Sequence, residues 1–362
     1  MLRHTPEGVW RISLADQWKL KHAMARAFLA LVLSVLTLSA VIPAAPARAD
    51  NQGKLKVFVL IGQSNMVGYG SLHARNKTSG DVGTMDFYVK NNPQAYRHLV
   101  SDDGSHAVRD DVWVVNFNHR QSKGKTLVKD KGWLTTGFGA DENYIGPEYG
   151  FGWVLGDHYD EPVLLIKCAW GGRSLAVNFL SPSAGQYPEP KQDGETGYQY
   201  AETIRLVKEV LSNLKTYFPA YDGKGYELVG VGWHQGWNDR TKADRVEAYA
   251  RNMEHFIKDL RKDLGVADLP FVIANTGMNH KPANEQATKL MDDQLSLADP
   301  AKYPAFEGNV GAVDTRPFQR KYDKSPSKQG FHWLRNWETY YLIGEGMGRK
   351  MVELVNNDSP AN

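Results

Sequence analysis

Short apolar runs alternate with longer amphipathic segments along most of the chain. Five runs rich in Val, Ile, Leu or Phe are short enough for strands buried on both faces of a sheet: 55–61, 162–168, 227–233, 269–274 and 309–313. Four segments with apolar residues at spacings of three and four predict helices: 200–218, 242–264, 285–298 and 337–355. This alternation predicts an α/β domain with a mostly parallel central sheet.

Two segments interrupt the alternation. Residues 70–143 are rich in Asp, Gly, Lys and Asn and contain one strand-like run, 111–116. We interpret them as a long insertion with a small hairpin, which could form a lid, form a substrate wall or have no role at the site. Residues 181–197 are rich in Pro, Gly and Ser and predict a surface loop. No repeat or second domain is evident, so we expect one domain over residues 50–362.

The N-terminus has the layout of a secretory signal peptide. An uncharged apolar run, 28–42, follows Arg26 and precedes the small-x-small tripeptide 47–49. The run is shorter than the roughly 20 residues that span a bilayer, which disfavours the alternative of a membrane anchor. We therefore expect cleavage after Ala49 and export to the periplasm or the extracellular space, with Met24 as an alternative start.

Composition and charge argue against several classes of function. The formal net charge is +2, with 43 basic and 41 acidic residues, and no basic stripe predicts a nucleic-acid partner. Cys168 is the only cysteine and lies in an apolar run, which favours a buried thiol over a nucleophile. The 11 histidines are scattered without zinc-site spacing, so we expect no metal and no cofactor.

Polar motifs follow three of the predicted strands, at the sheet edge where parallel sheets bind ligands. The first strand runs into GQSN (62–65), where a glycine turn would leave Ser64 exposed. The second precedes GGR (171–173), whose glycines leave a backbone N–H free to donate, and the third runs into HQGWND (234–239). Taken singly, each motif is more often a helix cap or a turn.

A histidine before the last predicted helix completes the set. His332, in FHW (331–333), follows Ser64 in sequence order, as a general base for that serine would. The motifs together supply a nucleophile, a glycine N–H, a side-chain amide and an imidazole. Because these are the parts of acyl transfer through a serine, their joint occurrence at successive strand ends predicts an esterase site.

These four blocks resemble those of the SGNH hydrolase superfamily. Within it, residues 54–356 are similar to the sialate O-acetylesterase-like domain, which is related to carbohydrate esterase family six. The resemblance implies a three-layer α/β/α flavodoxin-like fold. It also implies removal of O-acetyl groups from an acetylated poly- or oligosaccharide without a metal.

The resemblance assigns a role to each block. Ser64 would be the nucleophile and His332 the general base. The oxyanion hole would be formed by the N–H groups of Ser64 and Gly172 and by the side-chain amide of Gln235 or Asn238. The residues expected to contact the substrate are Gln63, Arg173, Trp237 and Trp333.

Two positions depart from the family pattern. Gln329 stands where many relatives carry an aspartate three residues before the histidine, and Trp237 stands where many carry an acidic residue after His-Gln-Gly. His332 therefore lacks its obvious orienting carboxylate, whose loss can cost roughly 10⁴ in rate. Asp239 is the first substitute and Asp314 the second, and a backbone carbonyl in that role would leave a Ser-His dyad.

Two other functions stay open at this point. A non-catalytic sugar-binding protein of the same fold is favoured by the missing carboxylates and disfavoured by the presence of both Ser64 and His332. A serine esterase of lipids or simple esters would have the same residues, although no long exposed apolar stretch supports it. The tryptophans that would suit sugar stacking beside the site are Trp170, Trp233, Trp237 and Trp333.

Overall fold

A seven-stranded sheet forms the centre of the computed structural model of the chain. The structure describes residues 2–4, 10–12, 53–74, 81–122, 125–278 and 284–357. The strands are β1 (Leu2–His4), β2 (Trp10–Ile12), β3 (Leu55–Gly62), β4 (Gly70–Ser71), β5 (Arg109–Ser122), β6 (Lys125–Leu134), β7 (Tyr144–Ile145), β8 (Val163–Ala169), β9 (Tyr226–His234), β10 (Phe271–Ala274) and β11 (Val310–Val313).

Nine α-helices lie in the described ranges, together with short 3₁₀ turns. The helices are α1 (Ser64–Val67), α2 (Met85–Asn91), α3 (Pro93–Tyr96), α4 (Pro147–His158), α5 (Tyr198–Ser212), α6 (Leu214–Tyr217), α7 (Ala243–Leu264), α8 (Glu285–Ser296) and α9 (Trp337–Asn357). The 3₁₀ turns are Arg97–Leu99, Pro182–Ala184, Asp239–Thr241, Pro304–Phe306, Arg316–Phe318, Tyr322–Lys324 and Gly330–Arg335.

The sheet order is β11-β10-β9-β3-β8-β5-β6, and every neighbouring pair is parallel except β5 with β6. This confirms the prediction of a mostly parallel sheet. The chain leaves β3 toward β8 and β5 on one side and later returns to β9 on the other. Because ligands of open α/β sheets bind where the strand order reverses, the carboxyl end of β3 is the place to look for a site.

The side chains of β3 show why the fold has three layers. Val57 and Val59 pack in a core that includes Leu206 of α5 and Phe256 of α7. Phe58, between them in sequence, packs in the opposite core with helices α4 and α9. Since alternate residues of a strand point to opposite faces, an apolar residue at every position requires helices on both sides of the sheet. The predicted α/β/α architecture is therefore confirmed.

The segment 70–143 is the main correction to the predicted fold. β5 lies inside the central sheet, parallel to β8, and β6 pairs with it antiparallel at the sheet edge. Helices α2 and α3 belong to the same segment. The predicted hairpin is present as β5 and β6, but it is not an insertion, because β5 is a strand of the central sheet.

Two helices also differ from the predicted ones. Helix α4 was not predicted. Its core-facing side includes Gly150 and Gly152, and its other side is also largely buried. Its sequence therefore lacks the alternation of apolar and polar positions that indicates an amphipathic helix. The predicted helix 200–218 is interrupted at Asn213, which separates α5 from α6. Glycine and asparagine are both poor helix formers, which accounts for the weak signals.

The N-terminal region is described only in part. Strands β1 and β2 pair antiparallel within a unit, Met1–Asp50, that is distinct from the unit Asn51–Asn362. The remaining residues of the predicted signal peptide, including the apolar run 28–42 and the expected cleavage position, lie outside the described residues. Within the described ranges, every helix is too short or too polar to cross a membrane.

Candidate active site

Three strand ends meet at one level of the sheet. Gly62 of β3 is in register with Ala169 of β8 and with His234 of β9. A side chain at position 62 has no room, because a Cβ atom there would lie 2.3 Å from the His234 carbonyl oxygen. The GQSN, GGR and HQGWND motifs therefore leave the sheet side by side, as the sequence predicted.

Ser64 is the first residue of α1 and is not its N-cap, a position that Gln63 occupies. Its side chain is 8% exposed, and neither its hydroxyl nor its backbone N–H has a hydrogen-bond partner among the described residues. The alternative that this serine only caps a helix therefore does not hold. Its hydroxyl is free for chemistry.

The residues that follow Ser64 hold the segment that carries His332. Asn65 donates from Nδ2 to the Phe331 carbonyl oxygen at 3.3 Å. The Tyr69 ring stacks on the His332 ring, with 3.9 Å between centroids and 8° between planes. The structure therefore brings the predicted nucleophile and base, 268 positions apart in sequence, into neighbouring segments.

His332 has no carboxylate partner among the described residues. Its Nδ1 atom is buried and makes no hydrogen bond with any of them. Burial and, after it, the positive charge of Arg335 lower the pKa of His332 to about 4. The imidazole is consequently neutral at physiological pH, as a general base must be.

Asp239, the first predicted substitute for the orienting acid, binds groups other than His332. It is fully buried, and its carboxylate accepts hydrogen bonds from the backbone N–H groups of Leu175 and Ala176 at 2.9 Å and from Gln235 Nε2 at 2.6 Å. Burial raises the pKa of Asp239, opposed by these donors. The carboxylate ties the loop after β8 to the loop after β9 and makes no hydrogen bond to His332.

Asp314, the second substitute, is also engaged elsewhere. It pairs with Arg316 at 2.7 Å and accepts from Asn275 Nδ2 at 3.2 Å. Neither predicted acid therefore orients His332 in this structure. The third predicted arrangement, orientation by a backbone carbonyl, is not seen either, because His332 Nδ1 has no hydrogen-bond partner among the described residues.

Gln63 and Gln235 anchor the strand-end loops to each other. Gln63 Oε1 accepts from Gln235 Nε2 at 3.2 Å and from the backbone N–H groups of Gly236 and Asn238 at 3.2 and 3.1 Å. Gln235 Nε2 also donates to Asp239 and to the Arg173 carbonyl oxygen. Both side chains are 2% exposed. The structure thus contradicts Gln63 as a substrate contact and Gln235 as a free oxyanion donor.

Gly172 and Asn238 remain as candidate oxyanion donors. Gly172 is exposed, has a left-handed backbone with φ of 69°, and has no described acceptor for its N–H. Asn238 Oδ1 accepts from Arg245 at 2.8 Å, which fixes the amide so that Nδ2 faces the Gly172 carbonyl oxygen at 3.0 Å. An amide nitrogen carries two hydrogens, so one N–H of Asn238 stays available.

A left-handed turn follows His332. Trp333, Leu334 and Arg335 have φ values of 49°, 56° and 57°, a region that residues other than glycine rarely adopt. Arg335 donates to Gln329 Oε1 at 2.6 Å and to the Tyr144 hydroxyl at 2.5 Å. The glutamine in the family's aspartate position therefore holds the turn that carries the histidine.

Comparisons with known proteins identify the family of the chain. The family model of the carbohydrate esterases described as sialic acid-specific acetylesterases matches residues 54–324. The chain belongs to this family. A probable carbohydrate esterase from Arabidopsis thaliana is 29% identical over 108 residues, which are 30% of this chain and 32% of that relative. The X-ray structure of that Arabidopsis protein matches the fold with a TM-score of 0.52 and 18% identity, covering 83% of this chain and 98% of the other.

The aromatic residues around the candidate site refine the predicted contacts. Trp170, Trp233 and Trp333 are at most 2% exposed and belong to the cores, so Trp333 is not a substrate contact. Trp237 is partly exposed. Phe331, which was not predicted as a contact, is 44% exposed beside His332. Trp237 and Phe331 are therefore more exposed than the three buried tryptophans.

Arg173, the remaining predicted contact of this carbohydrate esterase, is partly exposed and forms an ion pair with Asp193. A substrate contact at Arg173 would compete with that pair. Cys168 is fully buried, as predicted, and burial raises the pKa of its thiol. Within the described ranges, no three His, Cys, Asp or Glu side chains are grouped to hold a metal ion.

A large cavity, about 780 Å³ in volume, lies away from these residues. It is lined by the proline-rich loop 182–190 together with residues of α5 such as Tyr200 and Ile204. None of the residues that line it is a serine, cysteine or histidine. The candidate active site is therefore chosen by the chemistry of its residues and not by cavity size.

Proposed function

We propose that this protein is an exported serine esterase that removes acetyl groups from a glycan, with Ser64 as nucleophile and His332 as general base. The observation that carries the proposal is the placement of Ser64. Its hydroxyl has no structural partner among the described residues, while the nearby Asn65 and Tyr69 hold the segment and the ring of His332. A residue kept only for the fold would be expected to use its hydroxyl in a hydrogen bond.

In the proposed reaction, Ser64 Oγ attacks the acetyl carbonyl carbon while His332 takes the hydroxyl proton. The N–H groups of Ser64 and Gly172 and the remaining N–H of Asn238 stabilise the oxyanion. The intermediate collapses, the C–O bond to the sugar breaks, and His332 returns the proton to the leaving alcohol. Water, activated by the same imidazole, then releases acetate from the acetyl-enzyme.

The proposed mechanism uses a dyad. The stacked Tyr69 ring and the left-handed turn orient the imidazole in place of a carboxylate. Without a carboxylate the imidazolium formed in the transition state is less stable, so the dyad is expected to be slower than a full triad. The absent carboxylate also favours the second candidate, a sugar-binding protein without turnover, and one experiment separates the two.

The test is acetate release from a panel of acetylated polysaccharides and O-acetylated sialic acids by the wild type, Ser64→Ala and His332→Gln. A matched control is Ser105→Ala, which removes an exposed serine hydroxyl bonded to Asp103. We expect release by the wild type and the control, and a loss of at least about 10³-fold in both site variants. Sugar binding without release by the wild type would establish the non-catalytic candidate instead.

Three further measurements address the finer parts of the proposal. Reaction with a fluorophosphonate followed by peptide mass spectrometry should label Ser64, and labelling of another serine would refute the assigned nucleophile. Faster hydrolysis of long-chain esters than of acetylated sugars would indicate that the substrate is a lipid or a simple ester and not a glycan. N-terminal sequencing of the protein recovered outside the cytoplasm should start at Asp50 if the chain is exported as predicted.

A further inference from the structure

Arg240 is a half-buried arginine without a counter-charge among the described residues. Its guanidinium carbon lies 3.4 Å from the centroid of the Trp237 ring. The side chain makes no hydrogen bond or ion pair with any described residue, and its Nε is buried without an acceptor. Burial lowers the pKa of this guanidinium, with no described acidic side chain close enough to oppose the effect. An unpaired cation in such a position is costly for the fold.

The other arginines around the site have partners. Arg173 pairs with Asp193, Arg245 donates to Asn238, and Arg316 pairs with Asp314. A cation–π contact with Trp237 compensates Arg240 only in part, because the ring offers no acceptor for the five guanidinium N–H groups. The fold therefore supplies no acceptor for the buried Nε of Arg240 among the described residues.

Arg240 lies on the same loop as the proposed oxyanion donor. Its backbone N–H donates to the Gly236 carbonyl oxygen at 3.2 Å. The N–H groups of Gly236 and Asn238, on either side of Trp237, both donate to Gln63, the residue before the nucleophile. These hydrogen bonds connect the Trp237–Arg240 pair to the turn that carries the serine.

We propose that Arg240, stacked on Trp237, binds the carboxylate of an acidic sugar in the substrate. The guanidinium fork matches a carboxylate with two parallel hydrogen bonds, and the carboxylate supplies the missing counter-charge. The flat tryptophan holds the fork in place, and its exposed part can contact the sugar ring. This inference rests on the proposed function, since the loop that carries the pair donates hydrogen bonds to Gln63, the residue before the proposed nucleophile. A uronic acid and a sialic acid both present this carboxylate.

The first test compares substrates that differ only in the carboxylate. Each O-acetylated uronoside or sialoside is assayed as the free acid and as its methyl ester, with acetate release measured for the wild type, Arg240→Gln and Arg240→Lys. Arg349→Gln is the matched control, because Arg349 is exposed and pairs with Glu345 on α9. Thermal melts verify that each variant folds.

We expect the wild type to prefer the free acid by about tenfold or more in kcat/KM, mostly through KM, because a charged bidentate pair is lost in the ester. Arg240→Gln should bring the ratio of the two kcat/KM values to about one. Arg240→Lys should keep part of the preference, since it retains the charge and loses the fork. A wild-type ratio near one, or a ratio unchanged in Arg240→Gln, would overturn the assignment.

A second test separates this inference from the proposed esterase. Ser64→Ala protein, with and without Arg240→Gln, is titrated by calorimetry with glucuronic acid, N-acetylneuraminic acid and glucose. Binding of the acids that requires Arg240 supports the subsite even if no substrate releases acetate. Acetate release without any preference for acids refutes the subsite and leaves the esterase standing. The acid that binds more tightly identifies which kind of acidic sugar is recognised.

Discussion

The pH dependence of acetate release tests the environment of His332 directly. Burial and the Arg335 charge lower the pKa of His332 to about 4, whereas an imidazole in water has a pKa of about 6.5. The base must be neutral to accept the proton of Ser64, so kcat/KM follows the fraction of neutral imidazole in the free enzyme. We therefore expect kcat/KM to stay flat from about pH 8 down to about pH 5 and to fall only near pH 4.

The size of the effect follows from the two pKa values. At pH 5 an imidazole with a pKa near 4 is about 90% neutral, whereas one with a pKa of 6.5 is about 3% neutral. The two environments therefore differ by about 30-fold in expected activity at this pH. A difference of that size exceeds the error of an acetate assay and does not depend on knowing the absolute rate.

The perturbation that tests the cause is removal of the stacked ring. Tyr69→Ala uncovers one face of His332 to water, so the pKa of the imidazole and the midpoint of the pH profile should both move upward toward about 6.5. Tyr69→Phe keeps the ring and is the matched control, with an unchanged midpoint. Acetate is measured at each pH over a concentration series of one substrate, and circular dichroism verifies that the protein stays folded.

One result would refute this reasoning. A wild-type profile that falls about tenfold between about pH 7.5 and about pH 5.5 would place the pKa of the catalytic base near 6.5. The imidazole would then be solvated or paired with a carboxylate, and the buried, unpaired environment of His332 would be wrong.

The buried polar residues behind the site give two further predictions. Asp239→Asn leaves an amide N–H facing backbone donors, so we expect a loss of about 1–3 kcal/mol in the free energy of unfolding, measured by urea titration. A drop in kcat/KM of about 10⁴ with unchanged stability would instead identify Asp239 as the triad acid. Lys167 donates to Glu148 at 2.6 Å, and both side chains are fully buried. Lys167→Met should therefore lower the free energy of unfolding by about 3–5 kcal/mol, and adding Glu148→Gln to the same chain should restore part of that loss. A smaller loss than the one measured on removing one partner of an exposed ion pair would contradict this.

The parts of the site that follow the strands were predictable from the sequence. A buried run that ends in a glycine fixes where the next side chain stands, so Ser64 and Gly172 could be placed at the sheet edge from the sequence alone. His332 could be paired with Ser64 because it was the imidazole in the appropriate sequence order. These predictions depend on local pattern and on the alignment of parallel strands, both of which a sequence carries.

The parts that depend on long-range contacts could not be predicted. Nothing near Asp239 in sequence shows that its carboxylate accepts hydrogen bonds from the backbone N–H groups of Leu175 and Ala176, more than sixty residues earlier. Likewise, the composition of the Trp333 segment does not reveal that its ring faces the core rather than the site. The place of β5 in the central sheet was missed because polar and charged residues surround its short apolar centre. In each case the interaction that decides the structure joins residues far apart in sequence, so no local sequence pattern indicates it.

The residue at position 329 bears on whether the site is active. A relaxed, non-catalytic site would have no reason to preserve a demanding backbone, since three left-handed residues in a row cost of order 1–3 kcal/mol each. The turn is nevertheless held by Gln329, which accepts from Arg335 and whose carbonyl oxygen accepts from the backbone N–H groups of His332 and Leu334 at 3.1 and 3.0 Å. Strain that persists beside a predicted base, with specific hydrogen bonds to maintain it, is typical of a functional site. The glutamine is therefore better explained as a replacement that positions the histidine through the turn than as the remnant of a lost acid.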